Sequence, residues 1–398
     1  MTAQEQTGRG IGPEYLLAGR YRLRSKIGDG GMGAVWLARD TLLSRDVAVK
    51  QVTSTEGLDT ETAEEVRERT LREGRNAAKL THPHSIAMYD VAIESGEPWL
   101  VMEYFPARSL AQAMNLADTL PPLEVAQIGA QIAAALTEAH AAGIVHRDIK
   151  PGNILIADRG KSLGTVKISD FGIARAKSDV STQDEVITGT PAYFAPEVAR
   201  GDDPTEASDV FSLGSTLYTV IEGQPPFGID SDAIALLHRV AKAEIYRPTK
   251  SGPLTDVLLQ LLEPDPTRRP TMAQARDALA AAATGGGTIE QLIDAPVYSS
   301  EGAVPAWAHR TTQLADPHRR NRLTGSTITG LPAVQQNTPL RNVPSPMDMF
   351  SWPPRIPTGP ADASTRDKVV AWAPLAMTGM VAVIILAALI VVILVFTA

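Results

Sequence analysis

The chain contains no cysteine, which excludes disulfides and thiolate metal sites and says nothing of the redox compartment. It also lacks an excess of positive charge. The formal net charge is −8, and neutralising nucleic-acid phosphates takes a basic face, so the balance argues against a nucleic-acid partner. No apolar run opens the chain: residues 1–19 are polar and Gly-rich, which is a loose tail and not a signal peptide. No internal repeat is visible. At 398 residues the chain is longer than one compact domain usually requires.

What is present begins at the C-terminal end. Residues 369–398 carry no charge, and 375–396 are almost wholly apolar. About 20 such residues cross a bilayer, so the run predicts one transmembrane helix over 369–398, with its core at 374–396. Trp372 stands where an interfacial aromatic belongs, and Arg366 and Lys368 lie just before the span, as a cytoplasmic flank requires. Only Thr397 and Ala398 follow Phe396, so the expectation is a single pass that ends at the outer face. Residues 284–368 are Pro-rich, open on three glycines and show no sustained periodicity, which predicts a disordered linker. Trp307, Phe350 and Trp352 are scattered through it, and short docking motifs are the alternative reading of these aromatics.

The chemistry lies between residues 20 and 200. An alternating strand from Tyr21 runs into Gly28-Asp29-Gly30-Gly31-Met32-Gly33, and a second strand follows over 34–39. A GxGxxG on its own fits a plain hairpin or a dinucleotide-binding turn. The dinucleotide turn must lead from strand into helix, whereas Gly33 leads into a strand. That favours a glycine-rich hairpin whose backbone N–H groups approach phosphate oxygens. Val47-Ala48-Val49-Lys50 then ends an apolar strand on a lysine. Helices are expected over about 60–80 and from Pro121 and Pro122 to Gly143, with Val125, Ile128, Ile132, Leu136 and His140 as a core stripe. A short strand, Ile144-Val145, should present the loop beginning at His146. His146-Arg147-Asp148-Ile149-Lys150-Pro151-Gly152-Asn153 and then Ile168-Ser169-Asp170-Phe171-Gly172 gather oxygen-rich side chains. Orienting a hydroxyl and holding Mg²⁺ is what phosphoryl transfer asks of a protein.

These two motifs, with the glycine loop and Lys50 in order before them, are the protein-kinase signature. The chain resembles the eukaryotic-type (Hanks-type) bacterial Ser/Thr protein kinases, and its organisation is similar to the membrane-anchored ones of actinobacteria. The resemblance implies an α+β, two-lobed kinase fold over 21–283, with an N-lobe at 21–105 and a C-lobe at 106–283. A flexible tail over 1–20 precedes it; the linker and the membrane helix follow. It implies Asp148 as the acceptor of the substrate hydroxyl proton, Lys150 at the transferring phosphoryl, and Lys50 on the nucleotide phosphates, paired with Glu73. Glu64, Glu65 and Glu68 on the same helix compete for that last role, and Gly74 beside Glu73 is a helix-weakening choice that would make the helix mobile. The ATP pocket would comprise Ile27, Gly28, Gly30, Gly33, Val35, Ala48, Lys50, Met102, Glu103, Phe105 and Leu155. Asn153 and Asp170 would bind Mg²⁺, with Mn²⁺ as the alternative metal.

The resemblance further implies that His146 packs on Phe171, and that Arg147 receives a phosphorylated activation segment. Thr182, Thr188 and Ser181 are the candidate phosphosites, and Asp184 and Glu185 could supply part of that charge. Thr190 would dock substrate; a Glu197–Arg269 pair and Asp209 would be supports. The implied activity is transfer of the γ-phosphate of ATP to Ser or Thr of proteins, including the chain itself, with a homodimer for phosphorylation in trans. The kinase domain would be cytoplasmic at the cell membrane. Two other classes remain open at this point: a pseudokinase scaffold, against which Lys50, Asp148 and Asp170 stand, and a small-molecule phosphotransferase, which needs neither Arg147 nor the platform from Thr190 to Glu197.

Overall fold

The computed structural model describes residues 11–30, 33–52, 60–171, 190–284, 289–297 and 305–308. The expected membrane helix and most of the linker lie outside these residues. Among the described residues, no helix is long and apolar enough to cross a membrane.

The first part of the chain is an antiparallel sheet with one helix. Its strands are β1 (Leu16–Leu17), β2 (Tyr21–Gly30), β3 (Gly33–Asp40), β4 (Arg45–Gln51), β5 (Met88–Glu94) and β6 (Glu97–Glu103), in the order β1-β2-β3-β4-β6-β5. Helix α1 (Thr60–Ala77) interrupts the sequence between β4 and β5. The two-residue period of a strand sorts the sheet's side chains. Val47, Val49 and Val101 face Leu17, Tyr21, Leu23 and Trp99 in one cluster. Ala48, Leu100 and Met102 belong to the larger core that continues into the rest of the molecule.

Gly74 of α1 is buried, and a Cβ there would lie 2.7 Å from Cγ2 of Val91 on β5. The glycine lets helix and sheet approach closely, a packing role beside the helix-weakening one expected.

The second part is mainly helical. It contains β7 (Arg108–Ser109), α2 (Leu110–Ala117), α3 (Pro122–Ala141), β8 (Ile154–Ile156), β9 (Val166–Ile168), α4 (Pro196–Ala199), α5 (Glu206–Glu222), α6 (Ala233–Ala241), α7 (Thr255–Leu261) and α8 (Met272–Thr284). Strands β7, β8 and β9 form a small antiparallel sheet in that order. Val125, Ile128, Ile132 and Leu136 of α3 are fully buried, as their helical spacing requires. Together the parts give the α+β kinase architecture expected, with the catalytic motifs at the seam between sheet and helices.

Three expectations need correction. Residues 11–20 are not a loose tail: Leu16–Leu17 pairs with β2, Leu17 is fully buried, and Tyr15 Oη donates to Glu94 at 2.6 Å. A two-residue strand is too short to show alternation, so only its partners define it. Residues 144–149 form no strand; Ile144 N–H instead caps α3 by donating to Ala139 O at 2.8 Å. The compact body also does not stop at 283. Helix α9 (Ile289–Asp294) and a 3₁₀ turn at Ala306–Ala308 follow, and Val297 and Trp307 are buried in the main core.

Candidate active site

The cleft is built from the sheet side by β2, β3 and β4. Gly28 pairs with Val35 and Gly30 with Gly33, so the two strands expected on either side of the glycines are paired; Gly31 and Met32 lie outside the described residues. Val35 pairs with Lys50, and Ala48 pairs with Met102. That register brings the half-buried Val35, the buried Ala48 and the lysine onto neighbouring positions, while Ile27 is 45% exposed. Met102 lines a small cavity of about 20 Å³ together with Ala77, Ile86, Leu100, Asp170 and Phe171.

The segment after β6 is tied down by a residue that the sequence reading missed. Lys167 Nζ on β9 lies 3.0 Å from Glu103 Oε2, donates to Ser85 O at 3.1 Å and sits 5.7 Å from the Phe105 ring centroid. Leu155 is directly opposite Lys167 across the small sheet. A lysine in a three-residue strand carries no signal of this role in the sequence alone.

The acids converge from the helical side. Asp148 Oδ2 is 2.9 Å from Lys150 Nζ, and Asn153 Nδ2 donates to Asp148 O at 2.8 Å and to Oδ2 at 3.0 Å. Asp170 Oδ1 meets Lys50 Nζ at 2.5 Å. One ammonium thus faces each carboxylate, so like charges are kept apart in the cleft. Asp170 has φ +63° and Arg147 φ +68°, left-handed conformations uncommon for residues with a Cβ. Strain of this kind clusters at functional sites.

Supports hold both loops in place. Asp209, 1% exposed, accepts the backbone N–H groups of His146 at 2.7 Å and Arg147 at 2.8 Å, and His140 Nε2 lies 2.9 Å from it. The His146 ring packs on Phe171, centroids 4.7 Å apart, with Nε2 at 3.0 Å from Ser169 O. Burial pushes the His146 imidazole below its ordinary pKa, which keeps it a neutral packing group. Glu197 and Arg269 form a two-pronged pair at 2.6 and 2.7 Å, the geometry in which guanidinium and carboxylate match best.

One expected pairing is absent. Lys50 is on Asp170, not on Glu73, and Glu73 Oε1 lies 3.9 Å from Arg147 NH1. The lysine's charge is already met by Asp170, and α1 carries Glu73 toward the arginine. Which partner Lys50 takes depends on the position of α1, a variable no sequence motif encodes. Thr190 stands next to the 3₁₀ turn Pro191–Tyr193, with its Oγ1 buried and, among the described residues, without a hydrogen-bond partner. Ser181, Thr182 and Thr188 lie outside the described residues, as does the acidic pair Asp184 and Glu185.

The donor set fits a hard cation. Among the described residues no three His, Cys, Asp or Glu side chains form a metal cluster. Mg²⁺ is instead held by one or two carboxylates together with substrate phosphates, and Asp170 with the amide oxygen of Asn153 offers that chemistry.

Comparison with known proteins agrees with this geometry. The model of the protein kinase domain matches residues 21–279. The serine/threonine-protein kinase PknB of Mycobacterium leprae is 38% identical over 264 residues, covering 64% of this chain and 41% of that protein. The serine/threonine-protein kinase PrkC of Bacillus subtilis is 36% identical over 267 residues, covering 66% of this chain and 40% of that protein. The chain therefore spans about two fifths of the length of these curated relatives. The crystal structure of Rad53 1-466 in complex with AMP-PNP aligns with a TM-score of 0.54 at 27% identity, over 65% of this chain and 64% of that one.

Proposed function

The chain belongs to the protein kinase family, whose domain matches it over residues 21–279, and from this premise we propose that it is a Ser/Thr protein kinase using ATP. It moves the γ-phosphate of ATP to Ser or Thr hydroxyls of proteins, itself included. The observation that carries the reading is the pairing of Asp148 with Lys150 and Asn153 in one loop and of Asp170 with Lys50 in the next, the two loops joined by the Ser169 N–H donating to Asn153 O at 2.9 Å.

In this mechanism Asp148 orients the attacking hydroxyl and takes its proton. Lys150, now on Asp148, turns to the transferring phosphoryl as its charge develops. Lys50 leaves Asp170 for the α- and β-phosphates and gains Glu73 as its partner, and α1 moves to allow it. Asn153 and Asp170 would hold Mg²⁺, which would supply positive charge against the phosphate oxygens. Glu103, Phe105 and Met102 border the adenine, a base recognised largely by backbone groups. The similarity to Rad53, solved in complex with AMP-PNP, supports a nucleotide in the corresponding cleft.

The proposal extends to regulation and location. Phosphorylation at Thr182 or Thr188 supplies the anion that draws Arg147 away from Glu73, and two copies phosphorylate each other in trans. Residues 369–398 anchor the chain in the cell membrane with the kinase on the cytoplasmic side.

The test is transfer of labelled phosphate from ATP to a generic basic protein, with small alcohols as competing acceptors. Label on Ser and Thr of the protein supports the proposal. No transfer despite nucleotide binding would make the chain a scaffold, and label on small alcohols alone would make it a small-molecule phosphotransferase.

A further inference from the structure

Residues beyond the matched domain pack back onto it in an ordered way. Helix α9 is short, and the last carbonyls of any helix lack partners within it. Here α3 supplies them. Gln131 Nε2 donates to the carbonyl oxygens of Leu292, Ile293 and Ala295 at 3.3, 3.1 and 2.6 Å. Gln127, one turn away, reaches those of Leu292, Ala295 and Pro296 at 3.4, 3.1 and 3.3 Å.

The segment then crosses the β8–β9 turn, where Val297 N–H donates to Gly164 O at 2.8 Å. A Cβ on Gly164, whose φ is +81°, would lie 2.6 Å from Val297 O, so the turn is shaped for a strand to pass over it. Farther on, Trp307 is 1% exposed, packs with α2, and donates from Nε1 to Glu124 Oε2 at 3.2 Å. The surface reads main-chain carbonyls and one indole.

Its contacts touch both flanks of the nucleotide cleft. His84, in the loop after α1, has Nε2 at 2.8 Å from Ile293 O and Nδ1 at 2.7 Å from Val166 O on β9. The same loop exchanges backbone bonds with β9: Ile168 N–H donates to His84 O, and Ile86 N–H to Ile168 O, both at 2.9 Å. Strand β9 leads through Ser169 directly to Asp170. On the other flank, α2 begins just after Phe105 and carries Trp307 against it.

Opposing terms meet in the contact. Burying an indole favours docking. Against it, a carboxylate is buried on a single neutral donor: desolvation pushes the Glu124 pKa upward, and the Trp307 hydrogen bond only partly counters this. Gln131 Oε1 is likewise buried and, among the described residues, has no hydrogen-bond partner. These costs offset part of what burial of the indole contributes.

We propose that the groove walled by α2, α3, the His84 loop and the β8–β9 turn is a peptide-docking surface whose partner is the chain's own residues 289–297 and 305–308, and that docking and nucleotide binding strengthen each other. The coupling runs through His84 and β9 to Asp170, and by linkage it is reciprocal. It rests on the nucleotide-binding role proposed above.

The test uses the full chain, with Mg²⁺–ADP as the probe, reading its affinity and the hydrogen exchange of amides 289–297. Three variants are compared with the unsubstituted chain: Trp307→Ala, Gln131→Leu and Glu124→Gln. ADP should slow exchange of 289–297 in the unsubstituted chain. Trp307→Ala and Gln131→Leu should each speed that exchange and weaken ADP binding by roughly fivefold or more. Glu124→Gln keeps an acceptor for the indole and removes the buried charge, so it should slow exchange, which a merely damaging substitution would not do.

If the unsubstituted chain binds no ADP, the kinase reading itself fails. If it binds ADP while both loosened variants match it within about twofold, or while 289–297 exchange ignores ADP, the coupling is overturned. If exchange is the same in all four chains, the docking surface is overturned. Should Trp307→Ala not fold, Gln131→Leu and the ADP effect on the unsubstituted chain still decide the matter.

Discussion

Replacing Arg269 by Ala should destabilise the fold in a way whose pH dependence identifies the cause. The guanidinium holds Glu197 by two bonds and also donates to the carbonyls of Glu263, Ala207 and Pro264 at 2.6, 3.0 and 3.0 Å. Both side chains are buried, at 0% and 7% exposure. Removing one partner of such a pair costs about 3–5 kcal/mol, because the other charge remains buried and uncompensated.

Desolvation raises the Glu197 pKa, but Arg269, helped by a backbone N–H and the Ser208 hydroxyl, outweighs that, and the net direction is downward. A depressed carboxylate contributes stability above its unfolded pKa and loses it as pH falls. In the Ala variant desolvation is opposed by a backbone N–H and the Ser208 hydroxyl alone, the latter donating to Glu197 Oε1 at 2.9 Å, so the folded-state pKa moves up. The residual Glu197 contribution is then intact at low pH and lost as pH rises. Denaturant unfolding of both proteins at about pH 5 and pH 8 should therefore show a gap that widens toward pH 8. A loss under about 1 kcal/mol, or an equal loss at both pH values, would refute the reasoning.

Other outcomes follow from individual contacts. Gly74→Ala should lower the melting temperature, because its Cβ meets Val91 Cγ2 at 2.7 Å. Adding Val91→Ala should recover part of that loss in the same melting assay, provided the clash is the cause. Asp40 is held at about 2, from 3.8, first by its hydrogen bonds to Arg20 and then by the N–H groups of Leu43 and Leu42. Its stabilisation is present above the unfolded value and fades as pH falls toward 2, so Asp40→Asn should cost about 2 kcal/mol near neutrality. Denaturant melts should show that cost vanish in acid. Lys50→Met should leave the fold intact and abolish phosphate transfer, measured with labelled ATP.

Legibility in the sequence followed the range of the interactions. The run from His146 to Asn153 and the Asp170 motif were readable because their chemistry is packed into short spacings, and Lys50 because the glycine loop precedes it. Helix α3 was readable from its apolar stripe. Its Gln127 and Gln131, however, gave no sign that they hold carbonyls more than 160 residues away in sequence.

Trp307 looked like one stray aromatic in a Pro-rich linker, since a single buried indole makes no periodicity. The 16–17 strand was hidden for the same reason. The partner of Lys50 was misread for a different one: motifs fix which side chains can meet, while the position of α1 decides which of them do.

Asp148 carries the kinase reading most directly. Asp148→Asn should bind Mg²⁺–ATP with nearly unchanged affinity, since the amide keeps the size of the side chain and Lys50 and Asp170 are untouched. Its phosphate transfer to protein Ser and Thr should fall by about 10²–10⁴-fold, the usual contribution of a positioned base. Both proteins must be purified from a host without such kinases and assayed side by side. Transfer by the variant at the unsubstituted rate would contradict that reading.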